Sequence, residues 1–154
     1  LVVPPLRSKE HVETLWAAIA DGTVDTIGSD HAQSRYQPQP ADTGDFTGLP
    51  YGLAGIELRL PLFLAEGIRR KIPIRRLSQV LGTRAAAIFG LAPRKGAIVP
   101  GADADLVIWD PRPSWTVKGA ALHDGLGESP YERGRAKGAI RSVLLRGSRF
   151  GSVT

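Results

Sequence analysis

Asp30 and His31 stand just beyond an apolar run, in Val24-Asp25-Thr26-Ile27-Gly28-Ser29-Asp30-His31-Ala32. A carboxylate there can take up a proton or bind a cation, and an imidazole can do either or hold a neighbour by hydrogen bonds. A carboxylate directly past the C-terminal end of a buried strand is where (β/α) barrels carry their chemistry. The same pair is also what an ordinary solvated loop contains, so the flanking sequence must separate the two readings. Other reactive types are sparse. There is no cysteine, which removes disulfide frameworks and thiolate metal sites, and the three histidines are His11, His31 and His123.

The elements around the pair follow a pattern. Pro4-Pro5 holds the entry extended. Ser8 can cap a helix on which Val12, Leu15, Trp16 and Ile19 form one apolar stripe, and Asp21-Gly22 stops it. His11 lies beside that stripe and reads as a surface residue. Residues 24–29 then read as a short buried strand, making a helix–turn–strand unit of α/β type. Residues 32–55 read as one long loop, rich in Gln, Pro and Gly, whose position directly after the strand suits covering a site.

Further on, Pro61 suits a first helical turn, so a helix is predicted over 61–70. A second follows at 74–81, and a third at 84–89 is capped by Thr83 and ended by Gly90. Leu77, Val80, Leu81, Ile88 and Phe89 are expected to face inward. Past Pro93 the texture becomes β-like. Short strands are predicted at 96–98, 106–109 and 115–117, with a final one at 141–146, a turn at Gly147, and a polar loop over 125–138. His123, in this tail, reads as structural.

The chain has 154 residues and a net charge of +5. The basic run Arg69-Arg70-Lys71 with Arg75-Arg76 has no interleaved aromatics, so it reads as a solvated helix end rather than a nucleic-acid patch. No apolar run approaches the roughly 18 residues of a membrane span. The chain begins at Leu1 and contains no methionine, which predicts a segment of a longer or processed protein. The cysteine-free composition fits the cytoplasm, where the protein is expected.

Several motifs now carry a resemblance. Pro4-Pro5-Leu6-Arg7 and Gly28-Ser29-Asp30-His31-Ala32 resemble the last barrel repeat of cyclic amidohydrolases, the dihydropyrimidinase (hydantoinase), allantoinase and dihydroorotase group of the metal-dependent amidohydrolase superfamily. Gly44-Asp45-Phe46-Thr47-Gly48-Leu49-Pro50-Tyr51-Gly52 is similar to the hydantoinase loop after that strand. Pro93-Arg94-Lys95-Gly96, Gly101-Ala102-Asp103-Ala104-Asp105 and Ser129-Pro130-Tyr131-Glu132 are similar to the family's small β domain. The chain departs from the pattern at Gln33, where the family usually has proline, at Tyr51, where hydantoinases usually have asparagine, and at Val3.

The resemblance implies the C-terminal part of a (β/α)8 TIM-like barrel followed by a small β-rich domain. Residues 1–93 would hold the last strand and helices of the barrel, and 94–154 the β-rich part. It implies hydrolysis of a cyclic amide or imide by water activated on a divalent metal, with zinc in a binuclear centre expected. It assigns Asp30 as metal ligand and as general base turned general acid. His31 is either support behind that site or purely structural. Pro50, Tyr51 and Gly52 either offer backbone groups to the substrate ring or form a packing turn.

The family's other ligands, an early His-x-His pair, a modified lysine and two more histidines, have no counterpart in this sequence. The metal site is therefore expected to need the remainder of the barrel as a partner, and the 154 residues alone to be inactive. A homo-oligomer, a tetramer, is implied for the complete enzyme, with no nucleic-acid or membrane partner. A competing reading is a non-catalytic amidohydrolase-like scaffold that has lost its metal site. Retention of Asp30 weighs against it.

Overall fold

A computed structural model of the chain describes residues 2–33 and 51–150. Helix α1, Lys9–Asp21, follows Ser8, whose hydroxyl lies 2.8 Å from His11 Nδ1 instead of bonding a helix amide. It closes on Gly22 at φ 101°, a left-handed position that a residue without Cβ adopts freely. Of the predicted stripe, Ile19 is buried and Trp16 half-buried, while Val12 and Leu15 are exposed. Trp16 stacks on Phe63 with ring centroids 5.1 Å apart, and the Arg70 guanidinium lies over the Trp16 ring, 5.1 Å from its centroid. Arg70 also pairs with Glu13 and Glu66 at 2.5 and 2.6 Å, leaving its side chain 18% exposed. The basic run is thus only partly a solvated helix end.

Helix α2 spans Ile56–Arg69 and begins five residues before the predicted start. Pro61 therefore lies inside it, where it lacks the N–H that would reach the fourth carbonyl back. The helix tolerates this because Leu58, Pro61, Phe63, Leu64 and Gly67 are buried together on one face. Each large apolar side chain so buried contributes roughly 1.5–3 kcal/mol. The two helices expected over 74–89 are one continuous run. Helix α3, Ile74–Ser78, passes through a π-helical turn, Gln79–Thr83, into α4, Arg84–Ile88. Thr83 is helical and caps nothing; its hydroxyl donates to the Gly96 carbonyl at 2.7 Å. Leu77 and Val80 are fully buried, but Ile88 and Phe89 are 54% and 73% exposed, because no described residue lies over them.

The core joins α1, α2 and this run through Ile19, Phe63, Leu64, Ile72, Leu77 and Val80, with Val24, Ile27 and Trp109 packed against it. Trp109 comes from a three-stranded antiparallel sheet of order β1-β2-β3, with β1 Leu106–Thr116, β2 Arg135–Leu145 and β3 Ser148–Phe150. Pairing runs from Leu106↔Leu144 to Thr116↔Arg135 and shifts register between Asp110 and Ser114. That shift holds Pro111 and Pro113, which have no N–H for a ladder. The strands predicted at 106–109 and 115–117 are thus one, the predicted loop over 125–138 yields its last residues to β2, and 96–98 forms no strand.

Residues 24–29 belong to no ladder. A strand exists by its hydrogen-bonded neighbour, and the described residues place none beside this segment. The chain is therefore α/β, with its helices and its sheet segregated along the sequence. Among the described residues no helix is long and apolar enough to cross a membrane.

Candidate functional site

Buried backbone polar groups must find partners, and residues 23–33 find theirs on helices. The Asp21 carboxylate accepts the Thr23 N–H at 2.8 Å, an arrangement that holds its pKa below the ordinary value. Val24 donates to the Ala18 carbonyl at 3.0 Å. Arg76 donates from Nε to the Ile19 carbonyl at 2.6 Å and from Nη2 to the Val24 carbonyl. Arg84 pairs with Asp25. Ile27 donates to the Val80 carbonyl in the π-helical turn at 3.3 Å, and its own carbonyl accepts Arg59 Nη1 at 2.8 Å. Two arginines and two helix carbonyls thus do for this segment's backbone what neighbouring strands do in a sheet.

The segment delivers Asp30 to an exposed position at φ 47°. Aspartate is one of the few non-glycine residues that adopt the left-handed region without severe clash. Such conformations persist where the surroundings over-determine them, and they cluster at functional sites. The surroundings here are His31 and residues 52–56. His31 makes a parallel bridge with Leu53, and Ala32 donates to the Leu53 carbonyl at 3.1 Å. His31 Nδ1 accepts the N–H groups of Gly55 at 3.1 Å and Ile56 at 3.3 Å. These amides open α2, whose N-cap, Gly55, has no side chain to offer. The imidazole supplies the missing cap, which places the ring proton on Nε2. The ring thus ties the opening of α2 to the residue next to Asp30.

The predicted ring contacts divide. Pro50 lies outside the described residues, as does most of the motif before it. Tyr51 is exposed. Gly52, at φ 102°, sits so close to Ala32 that a Cβ would collide with the alanine side chain. Gly52 is thus a close-approach glycine that brings residues 51–53 against 31–32.

Beside His31 is a cleft of about 210 Å3 whose lining includes Gln33, Gly55, Glu57, Leu122 and His123. Glu57 Oε2 accepts the His123 N–H at 2.8 Å, and its Oε1 lies 2.9 Å from His123 Nδ1. Gln33 Nε2 donates to the Asp124 carbonyl. Glu57 and Arg59, two residues apart in α2, do not pair with each other, since Glu57 is turned to His123 and Arg59 to Ile27. The sequence held one usable signal for these contacts: a helix that opens on Gly55-Ile56 without a capping side chain needs an acceptor from elsewhere.

Among the described residues, no group of three or more His, Asp or Glu side chains could hold a metal ion. Asp30 has a carboxylate to contribute, while His31 Nδ1 is committed to α2. Among the described residues the donors of a complete metal site do not come together; the exposed Asp30 carboxylate is one donor such a site could use.

Residues 2–149 match the model of the Amidohydrolase family. D-phenylhydantoinase of Escherichia coli O81 (strain ED1a) is 38% identical over 149 residues, covering 96% of this chain and 32% of the relative. D-hydantoinase of Rhizobium radiobacter is 36% identical over 147 residues, covering 94% and 32%. The solved structure of D-hydantoinase from Bacillus sp. AR9 superposes with a TM-score of 0.88 at 40% identity, covering 95% of this chain and 32% of that one. The chain thus spans about a third of the length of the curated relatives it matches.

Proposed function

The chain belongs to the amidohydrolase family, and from that premise we propose that it is the C-terminal part of a metal-dependent hydrolase that opens cyclic amides of the hydantoin and dihydropyrimidine type. The observation that carries this reading is Asp30. It is held in a left-handed turn by contacts on both sides, exposed, and has no hydrogen-bond partner among the described residues. Residues 1–93 would complete a (β/α)8 barrel, with 24–29 as its last strand once neighbouring strands flank it, and 94–154 would form the β-rich domain.

A divalent metal, expected to be zinc in a binuclear centre, supplies a polarised carbonyl and a more acidic water when bound. Asp30 contributes one ligand, and the others come from the rest of the barrel. The Asp30 carboxylate accepts the proton of the attacking water as its oxygen bonds the ring carbonyl carbon. It then hands that proton to the ring nitrogen as the C–N bond breaks. His31 holds the backbone under Asp30. Tyr51 and Gly52 would offer backbone groups to the ring.

The test is Asp30→Asn in the complete enzyme. Asparagine keeps the size but accepts no proton, so ring opening of hydantoin and dihydrouracil falls by about 10²–10⁴-fold while the circular dichroism spectrum is unchanged. A variant that keeps more than about a tenth of the unmodified rate overturns the assignment. The 154 residues alone, supplied with zinc or manganese, open no cyclic amide, because they contain no three-donor group among the described residues.

A further inference from the structure

Glu57 and His123 meet across 66 residues of sequence. Glu57 lies in the first turn of α2, where a carboxylate also suits the helix dipole. His123 is presented by a well-anchored turn. Gly119, in the 3₁₀ turn Gly119–Ala121, is buried against the Glu128 backbone so tightly that a Cβ would collide with it. Its N–H donates to Glu132 Oε2 at 2.7 Å. The Asp124 carboxylate closes the turn by accepting the Leu126 N–H at 2.9 Å. From this anchor two arms reach across the cleft. His123 grips Glu57 by backbone and ring together, and the Asp124 carbonyl takes Gln33.

Both arms end beside Asp30. Glu57 sits one residue past Ile56 and two past Gly55, whose amides rest on His31 Nδ1. Gln33 is two residues beyond His31. Residues 30–33 are therefore held from two sides by one turn of the C-terminal part of the chain. We infer that Glu57 and His123 form a clasp that fixes the first turn of α2 and, through His31, the backbone of Asp30. Both are positioning residues for the hydrolysis proposed above, and the inference rests on that reading of Asp30. The pair lies at the surface, with the His123 side chain 86% exposed. Exposed pairs contribute little to stability, so the consequence of losing the clasp is geometric.

The experiment compares His123→Ala and His123→Asn in the complete enzyme. The asparagine side-chain N–H stands where Nδ1 stands and can still donate to Glu57. For His123→Ala, kcat falls about tenfold, as for other groups that orient a ligand from behind. KM stays within about twofold, and the melting temperature moves by no more than about 2 °C. His123→Asn recovers most of the lost kcat. Amide hydrogen exchange over 53–57 speeds up in His123→Ala and returns toward the unmodified rate in His123→Asn.

Unchanged exchange in His123→Ala overturns the clasp. Faster exchange with unchanged kcat overturns its positioning role, as does a kcat loss that His123→Asn fails to recover. Should the unmodified enzyme open no cyclic amide, the proposed function fails, and the exchange measurement still decides whether the clasp exists.

Discussion

Residues 24–33 and the β1-β2-β3 sheet are written in a similar alphabet of short β-branched and apolar runs, yet they satisfy their backbones in opposite ways. In the sheet, β1 and β2 pair along almost their whole length and supply each other's partners. In 24–33, the backbone's partners are Arg59, Arg76 and the Ala18, Val80 and Leu53 carbonyls. A ladder is redundant, because every residue added brings its own bond. Side-chain partners are individual, and each one removed leaves a particular carbonyl or amide without its mate. The difference places adjustability next to Asp30 and redundancy in the tail, so the sheet should tolerate loss of single polar contacts better than the segment does.

The largest expected effect on stability comes from a change the sheet cannot absorb. Gly138 lies in β2 at φ 94°, with the Trp109 indole where a Cβ would go, and Trp109 joins the sheet to the helical core. Gly138→Ala combines left-handed strain with overpacking and costs about 3 kcal/mol, read by urea unfolding. If the two regions are independent, kcat per folded molecule of the complete enzyme stays unchanged. A large fall in kcat for the folded fraction would break the division between the two regions.

A smaller effect on stability, with a larger one on turnover, is expected from Arg76→Met. Methionine keeps much of the aliphatic stem but leaves the Ile19 and Val24 carbonyls without their donor. Leaving such groups unmet costs about 2 kcal/mol. Because Val24 begins the segment that ends at Asp30, kcat of the folded variant should also fall. A variant with the stability loss but full kcat would show that the segment's anchor does not govern its far end.

The contrast also explains what the sequence could and could not disclose. Local chemistry was legible. Gly22 as the stop of α1, Gly147 as the last turn, Leu77 and Val80 as core, and the motifs around Asp30 all depend on residues near in sequence or on plain burial. Pairing was not legible. The β-branched pattern of 24–29 states that the segment is apolar but not which chain lies beside it. Pro61 was placed in a first turn by a rule that burial of its whole helix face overrides. Ile88 and Phe89 were assigned inward by periodicity, whereas burial depends on what covers them. Glu57 and His123 lie too far apart in sequence for any spacing rule to join them. His31 was left between two roles because its partners are backbone amides, which no residue type advertises.

The smallest expected effect tests whether the sheet borrows the segment's device where its own ladder fails. Pairing slips between Asp110 and Ser114, and there Asp110 accepts both Arg112 Nε and Nη2 at 2.9 Å, the Arg112 N–H at 3.0 Å and Arg141 Nη2 at 3.1 Å. The Arg112 guanidinium chiefly, then its backbone N–H, holds the Asp110 carboxyl well below the ordinary aspartate value of 3.8, with Arg141 adding to the effect against the opposing cost of burial. A carboxyl whose folded pKa is depressed stabilises the fold fully above its unfolded pKa. That stabilisation is lost as pH falls below that value toward the folded one. Melting temperatures of the unmodified chain and of Asp110→Asn, measured from about pH 6 down to about pH 2, should therefore differ at the upper end and converge in acid. A gap that is absent at pH 6, or that persists unchanged in acid, would mean that the irregular stretch of β1 is held by its flanking ladders alone. The arginine-for-strand substitution would then be peculiar to residues 24–33.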